Sequence, residues 1–250
     1  MTASLIDQQR RSFDQLVEEG VYSQDFEHAP NAKTFVGAVL AAVAPRLVRG
    51  RPLTLLDCGC GTGAWLAFLA AALREAGFTE IRCCGFDLSG KMVEVARRKL
   101  AGLAEPQDLR AGNLQEETSY DFAGLTAGVD LLFTYDVVQQ LPRRQQYRAC
   151  EIMANHLAPG GLALIFDNDS HSKFGRRMAL RKFLTRYCGL SLVPRYYCNA
   201  AYPPLERFRR RLAAASWDAA VHVRPDRVKR ALVVGKPRGG EAGAGPRGSF

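Results

Sequence analysis

Two aspartates and three glycines carry the clearest chemistry in this chain. Leu53-Thr54-Leu55-Leu56 is an apolar run of strand length that ends at Asp57, and Gly59, Gly61 and Gly63 alternate behind it. Glycines at that spacing leave the backbone bare. A ligand can then lie where a Cβ would block it, and such turns often need the positive φ that glycine adopts freely. Ala64-Trp65-Leu66-Ala67-Phe68-Leu69 follows as a helix-forming stretch. Strand, glycine turn and helix make the entry to a nucleotide-type pocket. The spacing is G-x-G-x-G. It is not the G-x-G-x-x-G in which a helix N-terminus faces a pyrophosphate. About 24 residues beyond Gly63, a second apolar run, Ile81 to Phe86, closes on Asp87. An acid at that place holds ribose hydroxyls in such folds, and one carboxylate can accept from both. Asp87 also suits a helix N-cap, a task for which Ser89 competes.

Further blocks follow in order. Leu109 to Leu114 reads as a third short strand. Val129 to Tyr135 reads as a fourth, followed by Asp136-Val137-Val138-Gln139-Gln140-Leu141-Pro142. Leu157-Ala158-Pro159-Gly160-Gly161 reads as a helix end, with proline and glycine as stops. Leu162 to Asp167 reads as a fifth strand. Together these blocks resemble the class I S-adenosylmethionine-dependent methyltransferases over about residues 50–167. The resemblance implies an α/β fold: a Rossmann-like, seven-stranded, mostly parallel sheet with a C-terminal antiparallel strand pair and helices on both faces. It also implies S-adenosyl-L-methionine as cofactor. That molecule has no phosphate, and its charged amino acid end needs a tight turn with polar groups nearby. On this reading Asp57, Gly59, Gly61 and Gly63 hold that end and Asp87 holds the ribose. Leu88, Met92, Asn113 and Leu114 border the adenine, and Tyr135 closes the site. Asn113 stands where the family usually has Asp, and its amide can both accept and donate. Family members cover the cofactor with N-terminal helices, which places Tyr22 and His28 near the pocket, His28 on the acceptor side. Both residues equally suit packing or surface positions.

One departure bears on mechanism. Many members carry His after the fourth strand. Here Gln140 takes that place and Asp136 the acidic one. Glutamine is no general base near neutral pH, so a reaction needing proton removal must find its base elsewhere. Tyr135, Asp136, His171 and Tyr196 are the catalytic candidates; His171 also reads as an exposed loop residue. Cys58-x-Cys60 has no second pair at zinc spacing, so no metal is expected.

The elements around these residues read as follows. Residues 4–20 form an amphipathic helix and about 32–48 a second, giving an N-terminal cap over 1–48. The methyltransferase core spans 49–236, with a helical lid inserted at 168–204. The Gly/Pro/Arg-rich segment 237–250 is expected to be disordered. Leu205 to Ala215 reads as a helix. Trp217–Val223 and Val228–Val234 read as the closing strand pair. At 250 residues the chain can bury one good core. No apolar run approaches the ~20 residues of a membrane span, and no signal peptide precedes the first helix, so the cytoplasm is the expected location.

Charge points to the acceptor. Residues 168–250 hold 18 Lys/Arg against 5 Asp/Glu, whereas residues 1–167 hold 16 against 20. The lid carries Lys173, Arg176, Arg177, Arg181 and Arg195, with Tyr197 and Tyr202 among its aromatics, and Gly175 as a hinge. These residues are expected to bind substrate. Arginine suits carboxylates and phosphates through bidentate hydrogen bonds. A small anionic metabolite is therefore the expected acceptor, possible examples including a prenyl diphosphate. The alternatives are a solvated helix face, an RNA-binding methyltransferase-like protein, and a lipid methyltransferase resting on an anionic membrane. Nucleic acid is disfavoured, because the sequence shows neither an appended binding module nor an N-P-P-Y motif.

Overall fold

The computed structural model describes residues 5–20, 30–103, 107–123, 125, 127–193 and 201–237. Tyr22, His28, Arg195, Tyr196 and Tyr197 lie outside the described residues, as does the segment 238–250.

The chain begins with α1 (Leu5–Glu18) and α2 (Pro30–Val43). Then come β1 (Leu53–Cys58), α3 (Ala64–Glu75), β2 (Ile81–Asp87), α4 (Gly90–Leu100), β3 (Gln107–Ala111) and β4 (Val129–Tyr135). The second half holds α5 (Arg143–Asn155), β5 (Leu157–Asn168), α6 (Lys173–Tyr187), α7 (Leu205–Ala214), β6 (Asp218–Val223) and β7 (Lys229–Gly235). One seven-stranded sheet has the order β3-β2-β1-β4-β5-β7-β6. β1 to β5 run parallel, and β7 pairs antiparallel with both β5 and β6. This is the Rossmann-like α/β architecture expected from the sequence.

Burial follows from position in the sheet. β1 and β4 are covered on both faces, so nearly every residue of each is buried and leucine, valine and phenylalanine dominate. Successive residues point to opposite faces. Leu55, Phe133 and Phe166 pack under α2 and α3, whereas Leu56, Leu132 and Ile165 pack under α5 and α7. The order reverses between β1 and β4, so their carboxyl ends part there and leave a crevice.

Two expectations are corrected. The stretch Leu157 to Gly161 does not end a helix. α5 stops at Asn155, and Pro159-Gly160-Gly161 lies inside β5. There the register against β4 shifts between Val129 and Leu131. A Cβ on Gly161 would stand 2.5 Å from the Val129 carbonyl oxygen, so the glycine permits a close strand approach. β3 ends at Ala111, not Leu114. The Gly112 N–H donates to the Asp87 carbonyl at 2.8 Å, and the chain then turns through Asn113.

Candidate active site

The glycine turn sits at the carboxyl end of β1. Gly59, Gly61 and Gly63 have φ of 84°, 51° and 83°, the left-handed region closed to most side chains. The turn is tied to β2: the N–H groups of Gly59 and Cys60 both donate to the Phe86 carbonyl, at 2.7 and 2.9 Å. Asp87 completes the tie. One carboxylate oxygen accepts from Gly61 N–H and the other from Ser89 N–H, each at 2.9 Å. Asp87 does not cap α4. Ser89 does so, its hydroxyl accepting from Met92 N–H at 3.1 Å. Asp57 is buried at the base of the turn. Met92 and Leu114 are buried, and Leu88 is half-buried. The Asn113 side chain is engaged locally: its oxygen accepts from Gln115 N–H and its amide donates to Glu116.

Helix α1 lies across this end of the sheet. Asp14 accepts a hydrogen bond from the Ser89 hydroxyl beyond β2, and Gln9 donates to the Gln140 carbonyl beyond β4. Gln9 and Asp14 are five residues apart, ~7.5 Å along a helix. β2 and β4 flank β1, so their ends are ~9.6 Å apart. The helix therefore bridges the two flanking strands directly over the glycine turn.

Opposite the turn stands a cluster of polar groups. Asp136 has φ of 61° and receives Asn168 and Lys229 on its carboxylate. Lys229 is buried, and its ammonium lies 3.9 Å from the Tyr135 ring centroid. Tyr135 in turn packs on Trp65 at 4.6 Å and on Phe166 at 6.0 Å. Burial works against the Lys229 charge, but the Asp136 carboxylate and the Tyr135 phenol outweigh it and raise its pKa. Burial raises the Tyr135 phenol as well, against the opposing pull of Lys229. Below the cluster, buried Asp167 accepts from Gln139 N–H at 2.9 Å and Asn168 N–H at 2.8 Å. Burial, then the charge of Asp136, pushes its pKa well above the ordinary carboxylate value.

The lid residues are dispersed. Ser172 caps α6 by accepting from Gly175 N–H at 2.8 Å. Gly175 is no hinge: it is buried, and a Cβ there would stand 2.3 Å from the Asp169 carbonyl oxygen. Lys173, Arg176 and Arg177 are exposed and Arg181 is half-buried. Arg176 donates to the His171 carbonyl at 2.9 Å. Buried Tyr202 stacks on Phe174 and faces the Lys182 ammonium at 4.6 Å. His171 is exposed, with Nδ1 at 3.6 Å from the buried Asp169 carboxylate. Among the described residues no three His, Cys, Asp or Glu side chains converge as a metal would need.

The structure thus gathers Asp57, the three glycines, Asp87, Leu88, Met92, Leu114, Tyr135 and Asp136 at one sheet edge. Sequence reasoning missed Lys229, Asn168 and Gln139. The antiparallel register that sets Lys229 opposite Asn168 brings the first two together, and no local motif encodes it.

Comparison with known proteins places this geometry. Residues 55–161 match the family model described as "Methyltransferase domain". Magnesium protoporphyrin IX methyltransferase (ChlM) from Synechocystis PCC 6803, solved with bound SAM, superposes with a TM-score of 0.61 at 16% identity, covering 94% of this chain and 98% of that one. The DhpI–SAH complex gives 0.60 at 19% identity over 95% and 100% of the two chains. The CMeT domain of the citrinin polyketide synthase gives 0.59 at 16% identity; the match covers 82% of this chain but only 52% of that one. No curated protein matched the sequence. The matched segment is thus similar to a methyltransferase domain, and the glycine turn and strand order are those of the fold that these solved methyltransferases share.

Proposed function

We propose that the protein transfers a methyl group from S-adenosylmethionine to a small anionic metabolite, a carboxylate or a phosphate ester, with a prenyl diphosphate as one instance. The observation carrying this reading is the pairing of the bare Gly59–Gly63 turn with Asp87 beneath helix α1. The residues fit the cofactor. The turn leaves backbone open to the amino acid end. The Asp87 carboxylate ties Gly61 and Ser89 at the end of β2, and as an acceptor it suits ribose hydroxyls there. Met92 and Leu114 supply apolar walls for a base.

When bound, the sulfonium supplies an activated methyl group. This chain's residues must then orient the acceptor and exclude water. Tyr135 and Asp136, at the end of β4, face the place where the acceptor meets the methyl group. Their titrations are informative. The phenol of Tyr135 stays neutral and Lys229 stays protonated at neutral pH. Neither acts as a base, and Gln140 cannot. Within the cluster the Tyr135 hydroxyl and the Lys229 ammonium are the donors and the Asp136 carboxylate only accepts; an acceptor that is already anionic would need no proton removed and would bind to those two donors. Such an acceptor fits the excess of basic residues around the carboxyl ends of β4 and β5. Lys173, Arg176, Arg177 and Arg181 of the lid, with Tyr202, are the proposed electrostatic frame of that side.

The test is transfer of labelled methyl from S-adenosylmethionine into pools of small carboxylic and phosphorylated acids. Label in an acid supports the reading. Label confined to added RNA rejects the acceptor class, and no cofactor binding rejects methyl transfer itself.

A further inference from the structure

We propose a second ligand site: the cleft between α5 and α7, which binds a small molecule carrying a diphosphate or two neighbouring phosphates. The proposal does not depend on the methyl-transfer reading. The cleft has a volume of about 710 Å³ and is lined by Arg143, Arg144, Arg207, Arg210, Arg211 and Arg230. That volume suits a small ligand.

Most of the charge there has no carboxylate paired to it; Arg230, held by Asp169, is the exception. Glu206 is the one carboxylate on the lining, and it is held by Arg209 at 2.7 Å. Among the described residues, Arg143, Arg144, Arg207 and Arg210 form no ion pair. Converging like charges cost stability unless an anion joins them.

Helix physics does not account for their placement. Arg143 and Arg144 open α5, where no side chain caps the helix. The helix dipole is positive at that end and disfavours cations there. An anion at the same place would meet both the dipole and the two guanidinium groups. On α7, Arg207, Arg210 and Arg211 have the i, i+3, i+4 spacing that puts them on one face.

The floor of the cleft is pre-organised. The Arg211 guanidinium lies 3.5 Å from the Tyr147 ring centroid, and Tyr147 packs edge-on against Phe208 at 5.4 Å. A guanidinium held over an aromatic ring has fewer orientations open to its donor fork, which suits bidentate phosphate recognition. Arg230 closes the far wall and is anchored by buried Asp169 at 2.8 Å.

The cleft is distinct from the cofactor crevice. Arg230 and Lys229 are neighbours on β7 and point to opposite faces. Lys229 reaches Tyr135, whereas Arg230 lines the cleft on the α5/α7 side.

Calorimetry with inorganic pyrophosphate on the full chain tests the proposal. Saturable binding is expected in the wild type. Arg143→Gln/Arg207→Gln, two exposed positions, should weaken it by about ten-fold or more, the scale of losing charged hydrogen bonds. Arg74→Gln/Arg98→Gln removes the same charge from a remote surface and should leave binding within about two-fold if the cleft is a specific site. S-adenosylhomocysteine affinity should not change in either variant, which separates this site from the cofactor pocket. No saturable binding at millimolar pyrophosphate overturns the proposal, as does equal weakening in the remote variant. Displacement of pyrophosphate by a single-stranded RNA that binds far more tightly with a steep salt dependence would replace it with a nucleic-acid surface.

Discussion

Gly59 offers a direct test of why this turn needs glycine. Its φ is +84°, and an added Cβ would stand 2.4 Å from Val137 Cγ2, 2.9 Å from Cγ1 and 3.2 Å from Cβ. Two costs are therefore predicted for Gly59→Ala. The left-handed conformation costs roughly 1–2 kcal/mol for a residue with a Cβ. Overpacking against Val137 costs about 1–3 kcal/mol more. Their sum, roughly 2–5 kcal/mol, is a large share of the 5–15 kcal/mol that holds an ordinary domain. The two costs can be separated. Val137→Ala removes Cγ1 and Cγ2, so the double variant keeps the φ cost and loses most of the clash. Alone, Val137→Ala should cost on the order of 1 kcal/mol. Urea unfolding of the four proteins at constant m-value gives the cycle, with an expected favourable coupling of about 1–3 kcal/mol. S-adenosylhomocysteine calorimetry gives the functional arm. Affinity should fall in Gly59→Ala and recover less than stability does in the double variant, because the strained backbone remains in the turn. A Gly59→Ala protein within about 0.5 kcal/mol of wild type, or a coupling near zero, would refute the geometric account.

Three further outcomes are expected. Asp87→Ala should weaken S-adenosylhomocysteine binding by about 1–3 kcal/mol; unchanged affinity by calorimetry would confine Asp87 to tying Gly61 and Ser89. Lys229→Met strands the Asp136 carboxylate, whose side chain is 34% exposed. A loss of about 1–3 kcal/mol is expected, below the figure for a fully buried pair because water screens Asp136, and Asp136→Asn in the same chain should recover part of it in urea titrations. Burial lowers the pKa of His156 and of His222. The unfolded chain therefore binds protons more readily, and the stability these residues contribute is present above the ordinary value of 6.5 and lost as pH falls through it. The histidine contribution to the melting temperature should fall between about pH 7.5 and 5.5, where ordinary carboxylates scarcely titrate and buried Asp167, with its raised pKa, works in the opposite direction. His156→Gln/His222→Gln should flatten that slope, and an unchanged slope would remove the assignment.

The cofactor half of the site was legible because its signals are local. Strand, turn and helix lie within one contiguous segment, and φ at all three glycines is what the spacing implied. Asp87 needed only its position after β2. The misreadings have equally local causes. Pro159-Gly160-Gly161 carries stop signals, yet the same residues serve a strand that shifts register beside Val129. Gly175 read as a hinge because glycine permits both freedom and close approach. Only the packing against the Asp169 carbonyl decides between them.

The acceptor half was less legible because its charges meet through topology. Lys229 and Asp136 stand 93 positions apart and touch only because β7 runs antiparallel to β5. Composition draws attention to the basic C-terminal third and, within it, to the lid. The structure instead gathers arginines from α5, α7 and β7 into one cleft. Arg143 and Arg144 belong to the part of the sequence whose charge is on balance acidic, so no window average could single them out. Their helix position held a clue: two cations at the start of a helix oppose its dipole. A residue pair that local physics disfavours is better explained by what it meets in the fold, and here that is a ring of like charge around an open cleft. The cofactor crevice was read from residues that agree with their local structure. The cleft is read from residues that do not.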